Sequence, residues 1–336
     1  QAMQYLDDAI ADLQKEDLID PEAQDLLYQG DAEKWLKLAY GLKARYTMHL
    51  LKRSANKDAD MEKVLEYVNN SFESAEEQAA FDVYDANNIN PLYGFFVARA
   101  GLGASESMRS KLAEYNDPRL SRAFITKQGT SGKEQAPGTA DNAVYAPNGT
   151  PEQGTSKYGT SLFMYSISAP TLLLSYHELK FLEAEALCRL ERDAKSALKD
   201  AVVAGLLNAE NSFTISRKEL GKTLINAASS ITEAEAESYF DNTIEAKYTA
   251  EPLKTTMTQK YFALWGASGE ATESYNDVRR MKGLGENFIE LKNPNSFPLR
   301  CPYGNSDTTT NAEVKAAYGN GQYVYSENVW WAGGSR

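Results

Sequence analysis

Between Thr171 and Glu191 no glycine or proline interrupts the chain, and apolar side chains recur three and four residues apart. Placed at 100° per residue, Leu172, Tyr176, Leu179, Glu183, Ala186, Leu187 and Leu190 share one side, which predicts a helix. Pro170 stops the segment before it, and Thr171 is a cap-forming residue. The opposite sector is mixed as well, with Glu178, Phe181, Leu182 and Glu185 on it. A surface helix carries one apolar stripe; this one has apolar residues all round, so it is expected to be central and covered on several sides. Glu183 falls inside the apolar stripe, where a carboxylate needs a cationic or hydrogen-bonding partner.

The same periodicity organises the rest of the chain. Met3, Leu6, Ile10 and Leu13 predict an amphipathic helix over 1–15, followed by an acidic connector around Asp20-Pro21. Asp31 caps a predicted helix of about 33–53, and a second, roughly 58–70, closes a hairpin. Trp35, Leu38, Ala39 and Leu42 fit the front half of a tetratricopeptide unit, with Ala and Leu replacing its Gly and Tyr. That stripe continues through Arg45, Tyr46 and His49, so Arg45 is a charge on a core-facing row. The central helix is expected to pair with Ala194–Leu207, whose Leu198, Val202 and Leu206 are helically spaced. A further pair covers Glu233–Ala250 and a helix begun by Pro252 and ended by Gly266. From 80 to 168 the pattern breaks up, and Pro137-Gly138, Asn148-Gly149 and Gln153-Gly154 mark turns. The expected fold is mainly α: helical hairpins of tetratricopeptide type at 33–70, 171–207 and 233–266, with a loop-rich subdomain over 80–168 packed on one side.

Several stretches carry a family resemblance. The run from Tyr176 through His177, Glu178 and Leu179 to Ala186 resembles the central Ala-Glu-rich helix of SusD-like (SusD/RagB) proteins. Lys43-Ala44-Arg45, Asn90-Pro91-Leu92-Tyr93 and Asp117-Pro118-Arg119-Leu120 resemble further signatures of that family. So do the runs Thr258–Trp265 and Asn276–Arg280 and the tail with Pro298, Arg300, Asn311 and Val329-Trp330-Trp331. The matches keep the family order from about residue 35 to 331. The chain departs from the pattern at Pro302-Tyr303, where the order is reversed, and at Gly304. The resemblance implies a Bacteroidetes nutrient-binding lipoprotein on the outer face of the outer membrane, which passes an oligosaccharide to a SusC-like TonB-dependent transporter. It also implies a single domain over 1–336, shorter than the family at its N-terminus, with the lipid anchor outside this sequence.

Composition narrows the chemistry. The 336 residues carry 47 acidic against 35 basic side chains, a net charge of −12, which argues against nucleic acid and anionic membrane as partners. Cys188 and Cys301 make neither a disulfide framework nor a zinc site. His49 and His177, the only histidines, lie on different predicted helices, and no cluster of His, Cys and acid has metal-ligand spacing, so no cofactor or metal is expected. Glu183 and Glu185 diverge by about 200° on a helix and cannot flank one glycosidic bond. An enzyme is therefore not expected.

What remains is binding. With 20 Tyr, 12 Phe and 4 Trp, many rings must be core, as expected of Trp35, Trp265 and Phe181. Tyr145, Tyr158, Phe163 and Tyr165 interleave with Gly, Asn and Thr in the long loop, and Asn142 and Asn148 add amides. Flat rings beside amides suit the C–H faces and hydroxyls of sugars. Tyr93 and Phe96 are expected to reach the same surface. The alternative is a tetratricopeptide-like scaffold binding a peptide. Arg45, Glu178, Glu183, Glu185, Arg279 and Arg280 are expected to form structural ion pairs, because charges on core-facing rows must be matched.

Overall fold

The computed structural model describes residues 1–15, 21–99, 102–128, 134–137, 144–149, 157–266, 269–293, 296–329 and 334. Helix α1 (Ala2–Leu13) packs on α2 (Ala32–His49), and α2 forms an antiparallel hairpin with α3 (Lys57–Asn69). Asp31 and Asn56 cap α2 and α3, accepting from Lys34 N and Ala59 N at 3.1 Å each. Leu38, Ala44 and Met48 of α2 interleave with Met61, Val64 and Val68 of α3 in one apolar cluster. Gly41 lets α2 come close to its neighbours: a Cβ there would lie 2.7 Å from Ser71 Oγ and collide with Leu174. Trp35 departs from the expected core position. It is 36% exposed, its indole nitrogen donating to Asp25 Oδ2 at 2.7 Å and its ring edge-on to Tyr28 at 5.5 Å, so the connector before α2 holds it at the surface rather than in the core.

The region after α3 is built from short pieces: β1 (Ala79–Phe81), α4 (Pro91–Arg99), α5 (Glu106–Glu114), α6 (Leu120–Ala123), β2 (Phe124–Gln128), β3 (Glu134–Pro137) and β4 (Thr160–Ser161). β2 is the middle strand of an antiparallel sheet ordered β3-β2-β4. Two of the family-like motifs act locally here. Asn90 is buried; its Oδ1 accepts from Leu92 N at 2.8 Å, and its Nδ2 donates to Ala169 O at 2.8 Å, so it caps α4 and ties it down. Arg119 is buried with Asp117, donating from Nε to Oδ1 at 2.8 Å and from Nη2 to Oδ2 at 2.6 Å, while Nη1 donates to Phe262 O at 2.8 Å.

The central helix starts later than its periodicity predicts. Thr171–Leu174 form β5, antiparallel to β1 with Ala79 opposite Leu174, and α7 (Tyr176–Arg189) begins behind Ser175. Ser175, rather than Thr171, is the cap, accepting from Glu178 N at 3.1 Å. Three consecutive leucines serve a strand with one buried face as well as a helix, and pairing with β1 decides between them. α7 divides two apolar clusters: Phe181 and Ala184 belong to one, Leu179, Leu182 and Ala186 to the other.

Its partner α8 (Lys195–Leu220) runs past the expected end at 207, since nothing in the sequence breaks it before Gly221. Gly205 in its middle sits where the helix ending at Ala263 approaches; a Cβ would meet that of Ala263 at 2.9 Å. α9 (Glu233–Tyr239), a π-helical turn (Phe240–Ile244) and α10 (Glu245–Ala250) form one irregular rod, followed by α11 (Pro252–Ala263) and α12 (Ala271–Leu284). The described residues are predominantly helical, and none of their sheets exceeds three strands. None of their helices is long and apolar enough to cross a membrane.

The chain divides into two compact units, 1–147 with 152–290, and 148–151 with 291–336. The second contains α13 (Asn305–Thr310) and α14 (Ala312–Tyr318). There Tyr303 stacks on Tyr318 with centroids 4.3 Å apart, and the Arg300 guanidinium lies 4.7 Å over the Tyr303 ring.

A candidate ligand cleft beside a buried ion network

The expected ion pairs resolve into a network inside the helical unit. Arg45 of α2 donates from Nε to Glu178 Oε1 at 3.0 Å, from Nη2 to Glu178 Oε2 and to Glu270 Oε1 at 3.1 Å, and from Nη1 to Leu173 O at 2.8 Å. One turn pair further along α7, Glu185 receives Arg280 and also Arg189 Nε at 2.7 Å. Arg280 reaches Asp277 Oδ1 at 2.7 Å, and the wholly buried Lys260 lies 2.8 Å from Asp277 Oδ2. Burial alone would raise Glu178, but Arg45 and Lys260 reverse it and hold the carboxyl below the usual range. Glu185 is held low in the same way by Arg280 and Arg189. Glu270 goes the other way: burial, then the adjacent Glu178 carboxylate, keep it protonated well above its ordinary range. Burial pulls His177 down to about 4, so the ring is neutral near pH 7.

Two members of the expected set stand apart. Glu183 is half-buried and pairs with Lys180 at 2.6 Å at the edge of the α7–α8 seam, where water still reaches it. Arg279 lies one position off the inward face of α12; its Nη1 donates to Tyr275 Oη at 3.0 Å at the surface. A stripe assigned at 100° per residue cannot tell the centre of a buried face from its rim.

The expected ring set is placed differently from a presented loop. Tyr145 and Tyr158 are 3% and 8% exposed, and Phe163 and Phe96 are buried too. Tyr145 meets Phe124 edge-on at 5.1 Å, Phe124 stacks on Trp265 at 5.1 Å, and Phe163 contacts both Trp265 and Phe213. A segment with so little regular structure needs apolar anchors to hold it on the helices, and these rings supply them. Tyr165 is half-buried edge-on to Phe96 at 5.1 Å, and Tyr93 is half-buried with its hydroxyl donating to Glu219 at 2.9 Å. Asn148 belongs to the second unit, and Asn142 lies outside the described residues.

The cavity with the best ligand chemistry lies elsewhere in the helical unit. It encloses about 420 Å³ between the start of α7, one face of α8, α9 and the turn before β1. The half-buried ring of Tyr176 lines it, with the backbone N–H of the same residue donating to Gln78 Oε1 at 3.2 Å. Val203, Ala204 and Leu207 form an apolar strip, continued by the amides of Asn208 and Asn211, whose side chains make no hydrogen bond among the described residues. Lys199 and Asp200 stand at one end and Glu233 and Glu237 on the facing helix. Burial raises the Tyr176 phenol, so its hydroxyl stays a neutral donor. A ring, an apolar strip and unused amides fit a neutral polyhydroxylated ligand. The available signal was a second face of α8, residues 199/200, 203/204, 207/208 and 211, beside the core stripe of Leu198, Val202 and Leu206. Among the described residues no group of three His, Cys, Asp or Glu is arranged to hold a metal ion.

A family model described as SusD-like, starch-binding and associating with the outer membrane, matches residues 1–303. The fold is similar to that of a SusD/RagB family protein of Bacteroides thetaiotaomicron, at 66% identity and a TM-score of 0.90, over 99% of this chain and 72% of that one. A SusD homolog of Bacteroides fragilis shares the fold at 19% identity and a TM-score of 0.68, over 95% of this chain and 71% of that one. So does a chitin-binding protein, at 19% identity and a TM-score of 0.66, over 98% and 71% respectively. No curated protein matches the sequence.

Proposed function

This chain belongs to the SusD-like family of starch-binding proteins that associate with the outer membrane, and from that premise we propose that it is a non-catalytic, lipid-anchored receptor on the outer surface. It captures an oligosaccharide in the cleft beside Tyr176 and delivers it to a SusC-like TonB-dependent transporter. The observation that carries the site is the conjunction of a half-buried ring with two unengaged amides, Asn208 and Asn211, in a cavity of about 420 Å³. Drug-sized ligands and short oligosaccharides fill cavities of this order. Sugar rings stack their C–H faces on the phenol, and the amides bond their hydroxyls. The chitin-binding protein of the same fold supports a glycan as ligand.

Affinity electrophoresis through gels containing soluble starch or glycol chitin tests the reading. The native protein is retarded by at least one of them, and the Asn208→Ala/Asn211→Ala variant loses roughly tenfold in affinity, about the contribution of two hydrogen bonds. Free migration of the native protein through every neutral polysaccharide gel, or unchanged retardation of the variant, overturns it.

A further inference from the structure

The cleft also carries a charge pattern, and from it we infer that the site prefers amine-bearing oligosaccharides and rejects those bearing uronate or sulfate. This rests on the cleft being the glycan site. Three carboxylates, Asp200, Glu233 and Glu237, line it against one ammonium, Lys199. Lys199 is already engaged: its Nζ donates to Asp241 Oδ1 at 2.8 Å and to Oδ2 at 2.9 Å, outside the lining. Lys180 lies 3.5 Å from Asp200 but closer, at 2.6 Å, to Glu183. Glu233 and Glu237, one turn apart on α9, form no ion pair among the described residues. A ligand entering the cleft therefore meets two carboxylates, Glu233 and Glu237, that no ion pair matches among the described residues.

Concave walls of low polarizability focus such a field, and the chain's net charge of −12 reinforces it at longer range. A neutral sugar is indifferent to this potential and binds through the ring and amides. A hexosamine ammonium gains by replacing the loosely held counterions along α9. A uronate or sulfate brings like charge against Glu233 and Glu237, and Lys199, the one cation in the lining, is held by Asp241.

Titration calorimetry with three oligosaccharides of matched length decides it: N-acetylated chitooligosaccharide, its deacetylated form and oligogalacturonate, at a mildly acidic pH where the amine is charged. At roughly 20 mM salt the deacetylated form binds about tenfold tighter than the acetylated one, and the uronate gives no heat; at about 500 mM salt the preference shrinks severalfold. Glu233→Gln/Glu237→Gln, both at exposed positions, removes the amine preference, whereas Asp58→Asn, at an exposed position of α3 outside the cleft lining, leaves it intact. Uronate binding equal to that of the acetylated ligand, or an amine preference that survives the double variant, overturns the charge selection alone. If none of the three binds and starch is also ignored, the glycan reading of the cleft falls with it.

Discussion

Arg45 and Glu178 stand 133 residues apart in the chain and meet as a two-point ion pair, both side chains almost wholly removed from water. The pair joins the first helical hairpin to the central helix, and Glu270 and the Leu173 carbonyl complete the shell around the guanidinium.

Breaking this pair is expected to cost far more than breaking the one at Glu183. Arg45→Ala or Glu178→Ala leaves an unmatched buried charge and lowers unfolding free energy by about 3–5 kcal/mol. Glu183→Ala, with its partner Lys180 still wetted, costs less than about 1 kcal/mol. Urea unfolding of the three variants measures the difference; equal losses would show that Glu183 is as buried as its stripe suggested.

Two buried residues should make stability depend on pH in opposite directions. His177 has its folded pKa depressed from 6.5 to about 4, so between those values the unfolded chain binds a proton that the folded chain does not. Stability from this group is full above 6.5 and is lost as pH falls through the window, by on the order of 3 kcal/mol. His177→Asn should therefore flatten the acid limb of a melting-temperature profile. Glu270 has its folded pKa raised, so its contribution is full at low pH and declines as pH rises above the ordinary carboxylate range. Glu270→Gln, which keeps a donor toward Glu178, should remove that decline.

Among the rings expected at the ligand surface, Tyr145 should behave as core. Tyr145→Ala vacates the space against Phe124 and costs about 3 kcal/mol or more. Tyr93→Ala, at the half-exposed start of α4, should cost less than about 1 kcal/mol. Thermal melts of the two proteins, run beside the starch and glycol chitin gels, separate a loss of fold from a loss of binding.

Glycines that look alike in the sequence should respond oppositely to alanine. Gly41→Ala forces α2 away from Ser71 and Leu174 and should destabilise by about 1–3 kcal/mol. Gly283, near the end of α12, has nothing closer to an added Cβ than the Lys52 side chain at 3.7 Å. Gly283→Ala should stabilise by up to about 1 kcal/mol, because alanine restricts the unfolded chain more and is the better helix former.

The chain by itself determined the helical hairpins, the caps at Asp31, the break-up of periodicity after β1, and the fact that Arg45 and the glutamates of α7 needed partners. These are local properties: a 3.6-residue period and a capping side chain act within one or two turns. The tertiary structure decided what periodicity leaves open. It set Thr171–Leu174 as a strand by supplying β1, chose Glu178 and Glu185 over Glu183 for burial, and turned Tyr145 and Phe163 inward. It also assembled the cleft from Gln78, Tyr176, Asn208 and Glu233, which no spacing in the sequence connects. A face on one helix becomes core, rim or cavity only when elements distant in the chain pack against it, and that depends on the close approaches at Gly41 and Gly205 as much as on the pattern itself.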